Sequence, residues 1–419
     1  MADGIKNAII IAQSEKTECG CMGCEKYLLL LQPYSRRHDK CSRKDSIKKL
    51  YNIMKSIIGR IRRFVANKYV ELRDRHLKNE RLKTAKKYLS AKLGHLRPLT
   101  SSQQEEIIKY WSQYTDVSRE LKWFEFYNNC NCNDGPQLKY CIPDSIMYGD
   151  IDVHFTNPRR SYELDDKNLY NLFFRDVKMP RTVVRKCEGV LLDSNYQVID
   201  LERALELCMQ EPRVICKLAR NSVGGKGVSF HDCSSSTHQE LKEMLSYPRD
   251  IIVQEVIGQH ESISRIHDKS INTIRIMSLV MDGQVHLLSG VLRMGRDGSL
   301  VDNASSGGIV CGLNDDGTLK EYAYDTSGNC WTQHPQGTVF KGVKIAGYSQ
   351  CRELVKQLAG RFCSTSRLIS WDFAVGEDGE PILIELNLTF GEVDFHQMCN
   401  GPVFGGLTDR VLSMVFKKD

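Results

Sequence analysis

Two apolar runs separated by a short turn constrain the fold of this 419-residue chain most strongly. Residues 368–375 and 381–386 are both rich in aliphatic side chains, and the turn between them contains two glycines. Runs of this length, bounded by glycine, predict two paired β-strands. The resulting hairpin would place three polar side chains among apolar neighbours: Asp372, Glu385 and Asn387.

The three polar side chains have the character of a cation site. Glu385 and Asn387 are two residues apart, so both face one side of their strand, whereas Ile384 and Leu386 face the other. Two carboxylates and a carboxamide supply the hard oxygen ligands that suit Mg²⁺ bound to nucleotide phosphates. The alternative is three solvated polar residues on an edge strand, which fits poorly with the apolar residues around them.

From about residue 150 onward, the chain alternates between β-rich and helical patterns. Residues 201–209 and 351–361 have the apolar spacing of helices. Further strands are expected at residues 214–218, 251–256, 273–280 and 285–291. This mixture predicts an α/β or α+β catalytic body.

A glycine-rich loop follows one of these strands. It contains Gly224, Gly225 and Gly227, and Lys217 lies on the strand before it. Glycine permits positive φ and lacks a Cβ, so backbone N–H groups of such a loop can approach phosphate oxygens that Lys217 could also reach. The loop is not a P-loop, because no Ser or Thr follows Lys226. An ordinary hairpin with glycines at its tip is the alternative.

Another buried-type strand ends in residues that suit a nucleobase. Backbone groups of Gln254, Glu255, Val256 and Ile257 could bind the adenine edge, with Glu261 placed for ribose hydroxyls. A plain buried strand with a polar end is the alternative.

The order of these features resembles the ATP-grasp superfamily. Asp166 and Lys167 come first, followed by Lys217 with its glycine loop, the hinge at residues 254–257, and the acid-acid-amide trio. More narrowly, eight stretches resemble the sugar-transfer-associated ATP-grasp family: residues 140–144, 259–260, 272–276, 301–303, 307–309, 333–335, 387–397 and 400–402. The resemblance covers roughly residues 98–415 and implies an α+β fold in which two α+β subdomains clasp ATP.

The resemblance also implies a role for each matching residue. Lys167 and Lys217 would contact the phosphates of ATP while the glycine loop closes over them. The hinge would hold adenine through backbone groups, and the trio would ligate Mg²⁺. Arg275 and Arg293 would act as catalytic arginines that neutralise a phosphate or a developing acyl-phosphate; the alternative is two surface arginines on strands.

In ATP-grasp ligases a carboxylate attacks the γ-phosphate, and an amine or other nucleophile displaces the resulting acyl-phosphate. The resemblance therefore implies an ATP-dependent ligase that uses ATP and Mg²⁺ on a small-molecule or glycan-linked acceptor, in cell-surface polysaccharide biosynthesis. Lysines, arginines and acidic residues without a Ser-His-Asp arrangement are consistent with such phosphoryl transfer. Two alternatives remain: a kinase that phosphorylates a hydroxyl, and a non-catalytic, membrane-associated nucleotide-binding protein.

Cysteine usage and hydropathy bear on the compartment. The chain holds 16 cysteines and shows no secretory signal pattern. No apolar run approaches the roughly 18 residues of a membrane span. These features predict a cytoplasmic protein, with a peripheral position at the inner face of the membrane as an option. Cys21, Cys24, His38 and Cys41 could hold a structural Zn²⁺, with free thiols as the alternative.

The amino-terminal part of the chain is strongly basic. Residues 1–97 contain 24 Lys and Arg against 9 Asp and Glu, whereas the whole chain has a net charge of only +6. Within them, residues 47–72 have an amphipathic helical pattern with an isoleucine stripe. This helix could lie on an anionic membrane surface. Packing on the catalytic body or pairing with another helix is favoured, because amphipathic stripes usually face a core. Nucleic-acid binding is not expected, because base-stacking aromatics are sparse there.

Four segments follow from these patterns. A second helix should begin after Thr100, with Ser101 or Ser102 as its N-cap. The segments are a cysteine-rich, poorly ordered stretch (1–45), a basic amphipathic helical region (46–97), a helical region (98–160) and an ATP-grasp domain (161–415).

Overall fold

The computed structural model describes residues 40–130, 135–157, 160–161, 164–220, 227–235 and 238–417. The chain divides into two compact units, Met1–Arg73 and Asp74–Asp419. The described part of the first unit is helical, and the second unit contains two β-sheets. Within the described ranges, every helix is too short or too polar to cross a membrane.

Eight helices of seven or more residues occur in the described ranges. They are α1 Lys40–Lys92, α2 Ser101–Trp111, α3 Leu121–Tyr127, α4 Leu201–Met209, α5 His238–Leu245, α6 Tyr348–Ala359, α7 Val393–Asn400 and α8 Thr408–Phe416. Shorter helical turns span Leu93–His95, Gly135–Tyr140, Asp144–Ile146, Met147–Ile151, Asp152–Phe155, Lys167–Leu169, Tyr170–Phe173, Glu261–Ser264, Ala304–Ser306, Gly360–Phe362 and Gly405–Leu407.

The start of α2 corrects one prediction, because its N-cap is Thr100 and not Ser101 or Ser102. The Thr100 hydroxyl accepts a hydrogen bond from Gln103 N at 3.2 Å, and Gln103 Oε1 accepts one from Thr100 N at 2.9 Å. This reciprocal pair is a capping box, which satisfies two helix-end donors at once. Ser101 also has a glutamine three residues ahead, so the sequence alone does not select Thr100.

The first sheet is antiparallel and six-stranded, in the order β3-β2-β1-β6-β4-β5. Helices α4 and α5 pack on it through buried side chains such as Cys208 and Leu241, which share a core with Val214 and Val253. Its strands are β1 Thr182–Cys187, β2 Val190–Leu192, β3 Val198–Ile199, β4 Arg213–Leu218, β5 Ser229–Asp232 and β6 Ile251–Glu255.

The second sheet is antiparallel and seven-stranded, in the order β11-β10-β9-β8-β7-β12-β13. All eight residues of β12 are buried, because helices cover both faces of the sheet. Val355 of α6 packs in one core and Met398 of α7 in another. Its strands are β7 Thr273–Met281, β8 Gln284–Met294, β9 Ile309–Leu313, β10 Leu319–Tyr324, β11 Cys330–Trp331, β12 Leu368–Val375 and β13 Pro381–Asn387.

Strand β13 is the edge of this sheet, but its outer backbone is hydrogen-bonded. Leu383 N donates to Lys178 O at 2.9 Å, and Leu386 N donates to the Tyr170 hydroxyl at 3.2 Å. The segment that precedes β1 therefore runs along β13 and satisfies donors that an edge strand would leave open. Two antiparallel sheets with packed helices confirm the predicted α+β class.

Candidate active site

A cleft lies between the two sheets. It encloses ≈ 940 Å³ of empty space, open solvent included. Lys217 and Phe230 line it from the first sheet, and Thr273 and Asp372 line it from the second. Its mixture of aliphatic and charged side chains is typical of a small-molecule site.

The predicted trio is assembled on the β12–β13 hairpin. Asp372 pairs in register with Glu385, and Ser370 pairs with Asn387. Asp372 is 1% exposed, which excludes the interpretation of a solvated edge. Asn387 Nδ2 lies 3.4 Å from Asp372 Oδ2, an orientation that leaves the Asn387 carbonyl oxygen for a cation.

Both predicted arginines are buried and bind Asp372. Arg275 donates from Nε and Nη2 to the two carboxylate oxygens, each at 2.6 Å, and Arg293 Nη1 donates at 3.1 Å. Each arginine is only 3% exposed, so neither is a surface residue. Two guanidinium groups on one carboxylate make a fixed set of charge-assisted hydrogen bonds at the floor of the site.

Lys167 reaches the trio from the segment before β1. Its Nζ lies 3.0 Å from Glu385 Oε2. Burial alone would raise the pKa of Glu385, but Lys167, Arg275 and Arg293 lower it, so this carboxylate is ionised. An ionised carboxylate is the form that ligates a metal ion.

Lys217 faces the same cleft from β4 with a neutral partner. Its Nζ donates to Gln254 Oε1 at 3.2 Å. Burial lowers the pKa of Lys217 to about 8, because its charged form lacks the solvation that water would give. An anionic ligand would supply the missing countercharge, so Lys217 is suited to phosphate binding.

The described end of the glycine loop also borders the cleft. Gly227 has φ of 77°, and a Cβ there would lie 2.7 Å from the Leu218 side chain. Glycine is therefore required at this position on two grounds. Val228 lines the cleft, whereas Gly224 and Gly225 lie outside the described residues.

The predicted adenine hinge borders the cleft at the end of β6. Gln254 Nε2 donates to Pro180 O at 3.3 Å, and Glu255 Oε1 accepts from Arg181 N at 2.8 Å. The side chains of Gln254 and Glu255 therefore form hydrogen bonds to the protein backbone. Val256 and Ile257 line the cleft beyond the last paired residue of β6, where their backbone groups are placed to meet a ligand. Glu261 is exposed at the start of a short helix and is not among the residues that line the cleft.

Sequence reasoning missed three acidic or amide groups around the arginines. Glu392 accepts a hydrogen bond from Arg275 Nη1 and has φ of 59°, an unusual conformation for a residue other than glycine. Asp302 Oδ1 lies 3.7 Å from Arg293 Nη2, and Asn303 accepts a hydrogen bond from the same nitrogen. Residues 301–303 and 387–397 carried family-like motifs, which was the signal available, but the motifs gave no role to these side chains.

The predicted zinc ligands cannot be placed. Cys21, Cys24 and His38 lie outside the described residues, as does the side chain of Cys41. Among the described side chains, no group of three or more His, Cys, Asp or Glu could hold a metal ion. The structural zinc stays a prediction.

Two antiparallel sheets that close on a cleft lined by lysines, arginines and acidic residues define an ATP-grasp fold. The chain belongs to the sugar-transfer associated ATP-grasp family, whose sequence model matches residues 153–413. This membership confirms the family that the motifs indicated. A search of the curated proteins found no match.

Three solved ligases have low similarity to this chain. D-alanyl-alanine synthetase A from Vibrio cholerae is 11% identical with a TM-score of 0.38, over 62% of this chain and 67% of that one. The D-alanine-D-alanine ligase from Coxiella burnetii is 9% identical with a TM-score of 0.35, over 62% and 60%. An L-amino acid ligase from Bacillus licheniformis is 13% identical with a TM-score of 0.34, over 60% and 48%. The chain thus spans less than two thirds of the last two.

Proposed function

We propose that this protein is an ATP-dependent ligase that activates a carboxylate as an acyl-phosphate for attack by an amine or another nucleophile. The observation that carries the proposal is the grouping of Lys217, which has a neutral partner, with Arg293 in one cleft, where Arg275 binds the same Asp372 as Arg293. Membership of an ATP-grasp family supports the same reading.

The chemistry of the donor set fits Mg²⁺. Asp372 and Glu385 supply carboxylate oxygens, and Asn387 supplies a carbonyl oxygen on the same hairpin. These three residues would hold the ion, which would offset negative charge on the phosphates.

The cations of the cleft bind and orient the reacting groups. Lys217 from β4 and Lys167 from the segment before β1 would both contact phosphates, so the nucleotide would be held beside Glu385 of the second sheet. Arg275 and Arg293 form a fixed, buried pair of donors against which negative charge can develop during transfer. The hinge at residues 254–257 offers backbone groups to adenine. No protein nucleophile is needed for such a reaction.

The test is nucleotide turnover with a panel of carboxylates and amines, including sugar acids and amino sugars. A ligase releases ADP and inorganic phosphate only when both a carboxylate and a nucleophile are present. Release of ADP with a stable phosphorylated alcohol would instead identify a kinase. Binding of Mg·ATP without turnover on any pair would favour the non-catalytic alternative.

A matched pair of variants separates the site from the fold. Glu385→Gln removes a metal-binding charge and should abolish turnover. Glu380→Gln changes an exposed glutamate on the same hairpin and should leave turnover unchanged. Undiminished turnover in Glu385→Gln would remove the metal assignment.

We propose further that the acceptor is a small molecule or a glycan-linked group in cell-surface polysaccharide biosynthesis. We also propose that the protein acts in the cytoplasm. The family description, with its reference to sugar transfer, supports the first point. The cysteine content supports the second, since sixteen cysteines suit a reducing compartment.

A further inference from the structure

Helix α1 carries a continuous set of exposed apolar side chains, here called the apolar face. Their exposed fractions run from 40% to 69%. Large apolar side chains scattered singly are normal on a protein surface, but a contiguous set marks an interaction site. The apolar face consists of Tyr51, Ile53, Met54, Ile57, Ile58, Ile61, Phe64, Val65, Tyr69 and Leu72.

The apolar face occupies a wide arc of the helix. At 3.6 residues per turn, its members fall within an arc of roughly 160°, from Ile53 on one border to Tyr51 and Tyr69 on the other. Basic side chains stand just outside both borders. Arg60 lies about 20° beyond Ile53, and Arg62 lies about 20° beyond Tyr51. Residues 51–73 contain six Lys and Arg against a single Glu, and five of the six basic residues lie on the polar face. The sixth, Lys68, falls within the arc of the apolar face and interrupts it.

We propose that this segment of α1 lies on an anionic lipid surface, with the apolar face in the acyl-chain boundary. A cationic polar face opposite aliphatic and aromatic side chains is the composition of an interfacial helix. Arg60 and Arg62 sit where their guanidinium groups can reach lipid phosphates while their stems remain in the apolar layer. Tyr51 and Tyr69 lie at a border of the face, the depth that tyrosine prefers in membranes.

A second copy of the helix is a poorer occupant than a lipid surface. A two-stranded coiled coil buries a narrow seam and places charged residues beside it. Here Ile58 and Val65 stand beside the seam that Met54, Ile57 and Ile61 would form, so much apolar surface would stay exposed in a dimer. Paired helices would also bring the border residues Arg60 and Arg62 of the two copies near each other, and like charges beside a seam are unfavourable.

The test is co-sedimentation of the full chain with two kinds of vesicle. One contains phosphatidylcholine alone, and the other also contains about 30 mol% phosphatidylserine, which makes its surface anionic. Binding is expected to the anionic vesicles only and to weaken as salt is raised. Replacing Ile57 by Asp should lower partitioning about tenfold or more. Arg62→Gln should lower it about fivefold, the equivalent of about 1 kcal/mol per basic side chain.

Matched changes on the opposite side of the helix serve as controls. Ser56→Asp places the same charge on the polar face, and Arg63→Gln removes an arginine whose Nε donates to Gly59 O at 3.3 Å. Both should affect partitioning less than their counterparts. Helical content of each variant is checked by circular dichroism.

Three outcomes would overturn the proposal. They are equal binding to neutral vesicles, equal losses from Ile57→Asp and Ser56→Asp, and self-association of the full chain in solution without vesicle binding. Because turnover of ATP is measured separately, failure of this proposal leaves the proposed ligase activity standing.

Discussion

Replacing Lys217 by Met tests the assignment of the cleft most directly. Methionine has nearly the length of lysine but no charge, so the substitution keeps the apolar stem and removes the ammonium group. In the absence of nucleotide, that ammonium is buried and donates only to the neutral Gln254 among the described residues. We therefore expect the apo protein to become more stable while nucleotide binding is lost.

The size of the effect follows from the pKa of Lys217. Burial lowers it from 10.5 to about 8, and each unit corresponds to about 1.36 kcal/mol, so the charged side chain costs about 3 kcal/mol at most. Losing the hydrogen bond to Gln254 offsets about 1 kcal/mol of the gain. Partial exposure of the Lys217 side chain reduces the gain in stability further. We expect a net increase of about 1–2 kcal/mol in the free energy of unfolding at pH 7.

The pH dependence has a definite sign. Between pH 8 and 10.5 the unfolded state binds a proton at this lysine and the native state does not, so native stability rises with pH and the advantage of the Met variant shrinks. Binding of Mg·ATP should restore the charge. At pH 9 about 0.9 proton is then taken up per nucleotide bound, and almost none at pH 7.

Two measurements decide the matter. Guanidinium chloride unfolding at pH 7 gives the change in stability, and titration calorimetry in buffers of different ionisation enthalpy gives the proton uptake. Lys242→Met, at an exposed lysine of the same subdomain, is the control and should change neither. A destabilised Met variant that still binds Mg·ATP with normal affinity would refute the assignment of Lys217 to the phosphates.

Four other substitutions extend these tests. Gly227→Ala forces a side chain into a positive φ against Leu218, and the KM for ATP should rise with a stability loss of about 1–2 kcal/mol. Glu392→Gln weakens the charge-assisted bond to Arg275, so kcat should fall about tenfold while the Tm stays within a few degrees. Burial raises the pKa of Asp152 from 3.8 to about 7, so the stability of the native protein falls as pH rises toward 7; Asp152→Asn should gain about 2–3 kcal/mol relative to wild type between pH 5 and pH 7 in urea unfolding. Thr100→Ala should cost about 1 kcal/mol in the same assay, through loss of the α2 cap.

Local patterns predicted strands β4, β6, β7, β8, β12 and β13, which include the hairpin that carries Asp372 and Glu385, but not β1, β2, β3, β9, β10 or β11. The β12–β13 hairpin could be predicted because its two strands and turn are contiguous in sequence. The turn fixes the register of the strands, which pairs Asp372 with Glu385. The predicted bounds of strand β12 match the observed ones, because a short continuous apolar run that ends at a turn is typical of a buried strand.

The charge network could not be predicted, because it depends on strand order. Arg275 meets Asp372 across 97 residues of sequence, and only the pairing of β7 with β12 brings them together. Glu392 was missed for a different reason. Its side chain is aimed at Arg275 by a left-handed backbone conformation, for which an L-residue in a loop gives no sequence signal.

The wide apolar face of α1 shows the limit of amphipathic patterns. Periodicity located the helix, but the same isoleucine stripe is compatible with a core-facing helix. Exposed fractions of 46% at Ile58 and 57% at Ile61 run against that interpretation. The surroundings of the helix determine whether its apolar stripe contacts protein or lipid. The spacing of apolar residues in the sequence does not reveal those surroundings.

The strip of chain that borders β13 has a practical consequence for anyone shortening this protein. A version beginning at β1 would keep both sheets but would lose Lys167 and the backbone partner at Lys178. Such a fragment would leave Leu383 N without its partner on an open edge beside Glu385, and open edges recruit strands from neighbouring molecules. We expect it to precipitate, so trimming from the amino end should stop well before Leu164.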